Sequence, residues 1–248
     1  MKIITTAVIK GGTGKTTTAA ALAQAAAANK KRVLAIDLDP QANLTFFLSA
    51  DQNKPGSYQL LHGTAPGEVI QKTEQNIDVI AASPDLSTEK IKPGSAKRLQ
   101  QAIKPIKGNY DYIFIDTPPQ MGELTYNALE ASTGLLIPLE TDSSSLQGFY
   151  QITDIAHQLQ DSNPDLSIIG VILTRYDSRP KINRHLQDVI EKAGDLIEAP
   201  YLMGIRPGIS IREAQALQQS LFDYAPKSKP AVDYMELYKK ISKGRGKK

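Results

Sequence analysis

The chain has 248 residues, 41% hydrophobic and 22% charged, with 29 Lys/Arg against 26 Asp/Glu for a net charge of +3. That composition suits one large α/β domain or two small ones and excludes a globally disordered chain. Cysteine is absent, and His62, His157 and His185 lie far apart, which excludes disulfides, thiol catalysis, cysteine-ligated zinc and iron–sulfur clusters.

In chain order, Ile3–Ile9 is rich in β-branched residues and predicts a strand that stops at Lys10-Gly11-Gly12-Thr13-Gly14. Alanine-dense Lys15–Ala28 predicts the helix that comes next, and Arg32–Asp37 a second short strand ending on a carboxylate. Residues 50–67, with Pro55-Gly56 and Pro66-Gly67, read as a surface excursion. Further strands are predicted at Ile77–Ala81, Tyr112–Asp116, Leu135–Leu139 and Ile168–Leu173. Helical patterns lie between or after them, at Ala96–Ile106, Leu124–Ala131, Leu146–Leu159 and Asn183–Ala193. Apolar runs without polar alternation suit strands covered on both faces, so the alternation predicts a doubly wound, mostly parallel α/β sandwich. Neither an internal repeat nor a long linker divides the sequence, and residues 1–248 read as a single domain.

Charge is unevenly placed. Residues 201–248 hold ten Lys/Arg and four Asp/Glu, and six of the last ten residues, 239–248, are cationic. A basic end of this kind favours phosphate backbones or anionic surfaces. No apolar run approaches the ~20 residues that cross a bilayer, and Met1–Lys10 is too short and too interrupted for a signal peptide, so the expectation is a soluble, intracellular protein.

Three segments carry chemistry. In Lys10-Gly11-Gly12-Thr13-Gly14-Lys15-Thr16-Thr17, between a strand and a helix, glycines let successive N–H groups turn toward one point, and the helix N-terminus adds partial positive charge. A triphosphate is the natural occupant: Lys15 neutralises phosphate oxygens and the Thr16 hydroxyl ligates Mg²⁺. Asp37-Leu38-Asp39-Pro40-Gln41-Ala42-Asn43 comes after the second strand and opens at the same sheet edge. Ile113-Phe114-Ile115-Asp116-Thr117-Pro118-Pro119 delivers a third carboxylate to the end of a strand, where open α/β sheets place ligands.

The first segment departs from the ordinary P-loop, having Ile9 where that pattern has glycine and Lys10 ahead of the glycine pair. It resembles the deviant P-loop of the ParA/MinD family of ATPases, Lys-Gly-Gly-x-Gly-Lys-[Ser/Thr], and the resemblance runs from residue 3 to about residue 240. It implies ATP and Mg²⁺ as cofactors, with Lys10, Lys15 and Asp39 catalytic: Lys10 reaching the partner's ATP across a homodimer, Asp39 positioning water or helping hold the Mg²⁺ shell. Asp116 matches the Walker B carboxylate, Asp37 a structural one, and Gly122 a source of switch flexibility. Thr174-Arg175-Tyr176-Asp177 and Ile205-Arg206-Pro207-Gly208 resemble base-contacting segments, with Pro207 against the ring; simple post-strand turns are the alternative.

The late segments Ile211-Arg212-Glu213-Ala214 and Tyr224–Lys229 resemble those of partition ATPases of the small Soj-like kind. That resemblance implies an ATP-dependent dimer that binds duplex DNA without sequence preference and is released when a centromere-binding, ParB-like adaptor stimulates otherwise slow hydrolysis. It also implies a cytoplasmic, nucleoid-associated location. Arg206, Arg212, Lys227, Lys229, Lys243 and Arg245 are the candidate DNA contacts, although the family's Ile-Pro-Arg-x-x-Arg stands here as Ile205-Arg206-Pro207-Gly208-Ile209-Ser210. Two other readings are a MinD-like membrane switch, which needs an apolar insertion face near the C-terminus, and a metabolic enzyme built on the same loop. Val232, Met235, Tyr238 and Ile241 recur every three residues, as in a helix packed on the body, and no apolar residue comes after Ile241, so no membrane partner is expected.

Overall fold

A computed structural model describes residues 1–88 and 95–243. Its strands are β1 (Lys2–Thr6), β2 (Val33–Asp37), β3 (Ile70–Lys72), β4 (Asp78–Ile80), β5 (Tyr112–Asp116), β6 (Gly134–Leu139), β7 (Ser167–Leu173) and β8 (Tyr201–Gly204). They form one sheet in the order β3-β4-β2-β5-β1-β6-β7-β8, parallel throughout except for the β3/β4 pair. β1 therefore lies mid-sheet between β5 and β6, and the chain leaves it toward β2 on one side and later returns to β6 on the other. Ligands of open α/β sheets bind at such a reversal, beyond the C-terminal strand ends.

The helices are α1 (Lys15–Ala28), α2 (Asn43–Phe47), α3 (Ser57–Leu61), α4 (Pro66–Val69), α5 (Arg98–Ile103), α6 (Glu123–Ala131), α7 (Ser143–Leu159), α8 (Lys181–Leu196), α9 (Ile209–Ala216), α10 (Leu221–Tyr224) and α11 (Lys229–Lys243). On one sheet face, Ile4, Ala35, Phe114, Leu136 and Ile172 pack against α1, α9 and α11. On the other, Leu34, Ile36, Ile113 and Ile115 meet α3, α5 and α6, while Leu135, Ile137 and Val171 meet α7 and α8. Both sides of each central strand are thereby dry, which is why those strands read as unbroken apolar runs.

Several boundaries differ from expectation. β1 stops at Thr6 rather than Ile9, and the helix predicted at Ala96–Ile106 shortens to Arg98–Ile103. The surface excursion at 50–67 contains α3 and the start of α4, and β3, β8 and α9 carry no clear strand or helix signal in the sequence. Three-residue β3 and Tyr-Leu-Met-Gly at β8 sit at the two sheet edges, where burial demands less of a sequence. Of the stripe expected to pack α11 on the body, Tyr238 and Ile241 are buried and Met235 partly so, but Val232 is exposed; Ala231, Tyr234 and Leu237 complete the buried face, which is turned slightly from the expected one.

Candidate nucleotide site

Residues 7–14 connect β1 to α1. Gly12 and Gly14 have φ of +79° and +87°, in the left-handed region that side chains resist, and a Cβ at Gly14 would lie 3.2 Å from Thr174 Cγ2. Such kinks gather consecutive backbone N–H groups into an anion-binding concavity. Lys15 opens α1 and is buried; its ammonium donates to the Lys10 carbonyl at 2.9 Å. Burial draws its pKa below the usual lysine range, and the charges of Asp116 and Asp39 pull it back up. Thr16 and Thr17 continue the first turn, half-buried.

Parallel pairing brings the carboxylates together. Asp116 at the end of β5 is in register with Thr6 of β1 and with Asp37 of β2. Asp37 is fully buried and saturated: its Oδ1 accepts the Asp39 N–H at 3.0 Å, and its Oδ2 accepts the Thr45 N–H and hydroxyl, each at 2.8 Å. Burial pushes it up to about 6 despite these bonds. It tethers α2 to the end of β2, and its donors occupy it within its own chain, so its structural reading fits.

Asp116 is the opposite case. It is fully buried and neither carboxylate oxygen has a hydrogen-bond partner. Burial, then the charge of Asp37, push its pKa well above the carboxylate range, while Thr16 and Lys15 act in the other direction. An orphaned buried carboxylate is costly unless a cation completes it, and the Thr16 hydroxyl stands among the groups acting on it. That donor set fits a hard divalent cation. Asp39 is nearly buried, with Oδ1 accepting the Gln41 N–H at 3.0 Å.

Two adjoining cavities share Gly12, Gly14 and Thr17. One, of about 330 Å³, is lined also by Lys15, Thr16, Asp39 and Pro119; the other, of about 400 Å³, by Thr174, Arg175, Ile205, Pro207 and Tyr234. The first has the charged lining a polyphosphate needs; the second sets apolar Ile205, Pro207, Ile209 and Ile211 among Arg175, Arg206 and Arg212, a mixed lining that suits a flat, polar-edged ring. Thr174 donates its hydroxyl to the Thr13 carbonyl at 2.8 Å, so the post-β7 segment is fastened to the P-loop. Arg175, in the left-handed region at φ +51°, donates to the Gly12 carbonyl at 2.5 Å and pairs with Glu140. Ile205 is buried, its N–H on the Leu173 carbonyl at 2.7 Å.

Lys10 is held by its own chain. It pairs with Asp142, the N-cap of α7, and lies 3.4 Å from Ser145 Oγ. Burial alone would raise Asp142, but hydrogen bonds from Lys10, Ser144 and the Ser145 N–H hold it down at about 2. Of the proposed DNA contacts, Arg212, Lys227, Lys229 and Lys243 are exposed, whereas Arg206 is paired with the buried Asp233 of α11. Arg245 lies outside the described residues.

A family model described as an AAA domain matches residues 1–168. Over 250 residues the chain is 35% identical to the sporulation initiation inhibitor protein Soj of Bacillus subtilis, covering 97% of this chain and 98% of Soj. It is also 35% identical to the chromosome partitioning protein ParA of Myxococcus xanthus, over 98% and 88% of the two chains. The chain belongs to the ParA/MinD family of P-loop ATPases.

Solved structures agree. Cobyrinic acid a,c-diamide synthase of Mycobacterium smegmatis, crystallised with an ATP analogue and magnesium, superimposes with a TM-score of 0.82 at 29% identity, over 96% of this chain and 93% of that one. The cell division ATPase MinD of Pyrococcus furiosus gives 0.80 at 26% identity, over 98% of each chain. Against the family motif, the fold brings Lys15, Thr16 and Asp39 around one strand-end crevice with Asp116 next to them, and Thr174, Arg175, Ile205 and Pro207 in the adjoining cavity, whereas the Lys10 side chain is held outside that lining by Asp142. The sequence reading missed Asp142 and Glu140, the carboxylates that receive Lys10 and Arg175. Asp142 carried a usable signal: Asp142-Ser143-Ser144-Ser145 is an N-cap pattern ahead of an apolar helix.

Proposed function

We propose that this chain is a ParA-type partition ATPase, a single domain with a basic C-terminal tail. It binds ATP and Mg²⁺, pairs with a second copy in the ATP state, and attaches to duplex DNA without sequence preference. Lys15 and the P-loop hold the phosphates, and Thr16 and Asp116 hold the Mg²⁺. The metal supplies charge neutralisation on the phosphate oxygens. Asp39 orients the attacking water, and Thr174, Arg175, Ile205 and Pro207 flank the base. Hydrolysis, slow alone and stimulated by a centromere-binding, ParB-like adaptor, releases the DNA; the setting is cytoplasmic, on the nucleoid. The cargo is a plasmid or a chromosome.

The observation that carries this reading is Lys10, directly ahead of the P-loop glycines with its ammonium on Asp142 and outside the lining of the phosphate-side crevice: a second lysine that its own site does not need once Lys15 is in place. Two Mg·ATP sites face to face repel unless each receives a cation from the other copy. Cations on α9 and α11 then double on one assembly, and DNA affinity rises steeply with the number of phosphates neutralised.

The test is analytical ultracentrifugation of Asp39→Ala with ATP and Mg²⁺, which should show dimers that remain for hours, followed by DNA retention across a salt series. Lys15→Ala should bind no nucleotide. A monomer at saturating ATP, or equal DNA retention with ADP and ATP, would sink the proposal. The MinD-like alternative predicts co-sedimentation with anionic vesicles; it is disfavoured because the apolar face of α11 is already packed on α1 and the sheet.

A further inference from the structure

The loop after β8, Ile205-Arg206-Pro207-Gly208, is a thin partition. On one side lies the 400 Å³ base-side cavity, and on the other a second cavity of about 440 Å³ bordered by Tyr176, Arg179 and Lys229; Arg206 and Pro207 line both. At Arg206 and Pro207, with space on each side, packing does little to hold the wall in place. Ile205 is anchored at the sheet, but the chain beyond it is exposed, and Pro207 has no N–H to offer.

The element that holds it is α11. Asp233, whose side chain is only 7% exposed, accepts the Arg206 backbone N–H at Oδ2 (2.9 Å), the Nε at both oxygens (2.9 and 3.2 Å) and Nη2 at Oδ1 (2.6 Å). This is a fork-on-carboxylate pair with a backbone donor added, which fixes direction as well as distance. One residue past Pro207, Gly208 sits so close to Pro230 that a Cβ there would be 2.9 Å from its ring. The same helix is tied to α1 through Tyr234, whose hydroxyl meets Thr18 Oγ1 at 3.2 Å inside the core. α1 begins with Lys15. Asp233 therefore sets the base-side wall relative to the helix that starts at the phosphates.

We infer that Asp233 is a positioning residue for base recognition: through Arg206 it holds the 205–208 wall at the spacing a purine ring requires, and it acts on the base without acting on the phosphates. This role rests on the proposed ATP binding. It also gives Arg206 a task inside the protein rather than on DNA. The carboxylate is on α11, 27 residues from Arg206, and lies outside the lining of the phosphate-side crevice.

The test compares ATP with inorganic tripolyphosphate, both as Mg²⁺ complexes, by calorimetric titration of the full chain. For Asp233→Asn and for Arg206→Ala, ATP affinity should fall about tenfold while tripolyphosphate affinity stays within about twofold. The double variant should be no worse than the poorer single one, because the two residues act as a pair. Should Asp233→Asn fail to fold, Arg206→Ala, with its half-exposed side chain, carries the comparison. Equal loss of both ligands in the variants, or unchanged ATP affinity, overturns the inference and leaves the ATPase reading standing. A wild-type chain that binds neither ligand overturns both.

Discussion

Asp37 and Asp116 are neighbours in register, equally buried and chemically the same, yet one is saturated with donors and the other has none. The difference lies in the chain beyond each. Asp37 leads into α2, which returns Thr45 to it, whereas Asp116 leads into Thr117-Pro118-Pro119, where the prolines have no N–H to return. The pH consequence of Asp37 has a definite sign. Its folded pKa of about 6 exceeds the unfolded value of 3.8, so the folded state holds the proton more tightly and stability falls as pH rises from about 4 to 6. In metal-free protein the penalty of Asp37→Asn, from denaturant melts, should therefore shrink across that interval by up to about 3 kcal/mol. A gap that widens or stays flat contradicts the buried-carboxylate account. Lys10 supplies a second expectation at this scale. Asp142→Asn removes its ion-pair partner, so ATP-dependent pairing should appear at several-fold lower ATP, read by light scattering; a higher requirement would mean the Asp142 contact helps pairing.

The central elements were legible because their burial is extreme. β1, β2, β5, β6 and β7 and helix α1 stand close to where apolar runs and the alanine block place them, with Lys15 at the start of α1, Asp116 at the end of β5 and Asp39 just past the end of β2. The rest was obscured for local reasons. Ser143-Ser144-Ser145 delay the apolar pattern of α7 to Leu146 despite the Asp142 cap signal, and α9 is a short helix of mixed polarity that gives only Ile211 and Ala214 to the core and lines a cavity with Ile209, Arg212 and Gln215. The pairings of Lys10 with Asp142 and Arg206 with Asp233 join residues 132 and 27 positions apart, and no single-sequence pattern encodes them. Bonds and close approaches between elements yield their own predictions. Tyr234→Phe removes the bond to Thr18 between α11 and α1 and should cost about 1 kcal/mol in a urea melt. Gly14→Ala meets both a left-handed backbone and Thr174; destabilisation by about 1–2 kcal/mol, together with weaker ATP binding, is expected.

For the molecule as a whole, one sheet collects the candidate nucleotide-site residues beyond the C-terminal ends of its central strands, while the net positive charge gathers in the last fifth of the sequence. Converting Lys239, Lys240 and Lys243 to alanine should flatten the plot of log DNA affinity against log salt by about 0.9 for each phosphate no longer neutralised. An unchanged slope would place the DNA surface elsewhere.

α11 links these two ends. It is 15 residues long, fastened near its start by Asp233 and Tyr234, and it carries Lys243 about ten residues beyond that fastening, about 15 Å away along its axis. Further along, Leu237, Tyr238 and Ile241 are buried in the core, and Ser242 is bonded to Tyr112 and Lys2 of the sheet, so the helix is a strut fixed at both ends rather than a lever. The base-side wall and the exposed cation at Lys243 are therefore kept at one fixed separation, carried by the same strut.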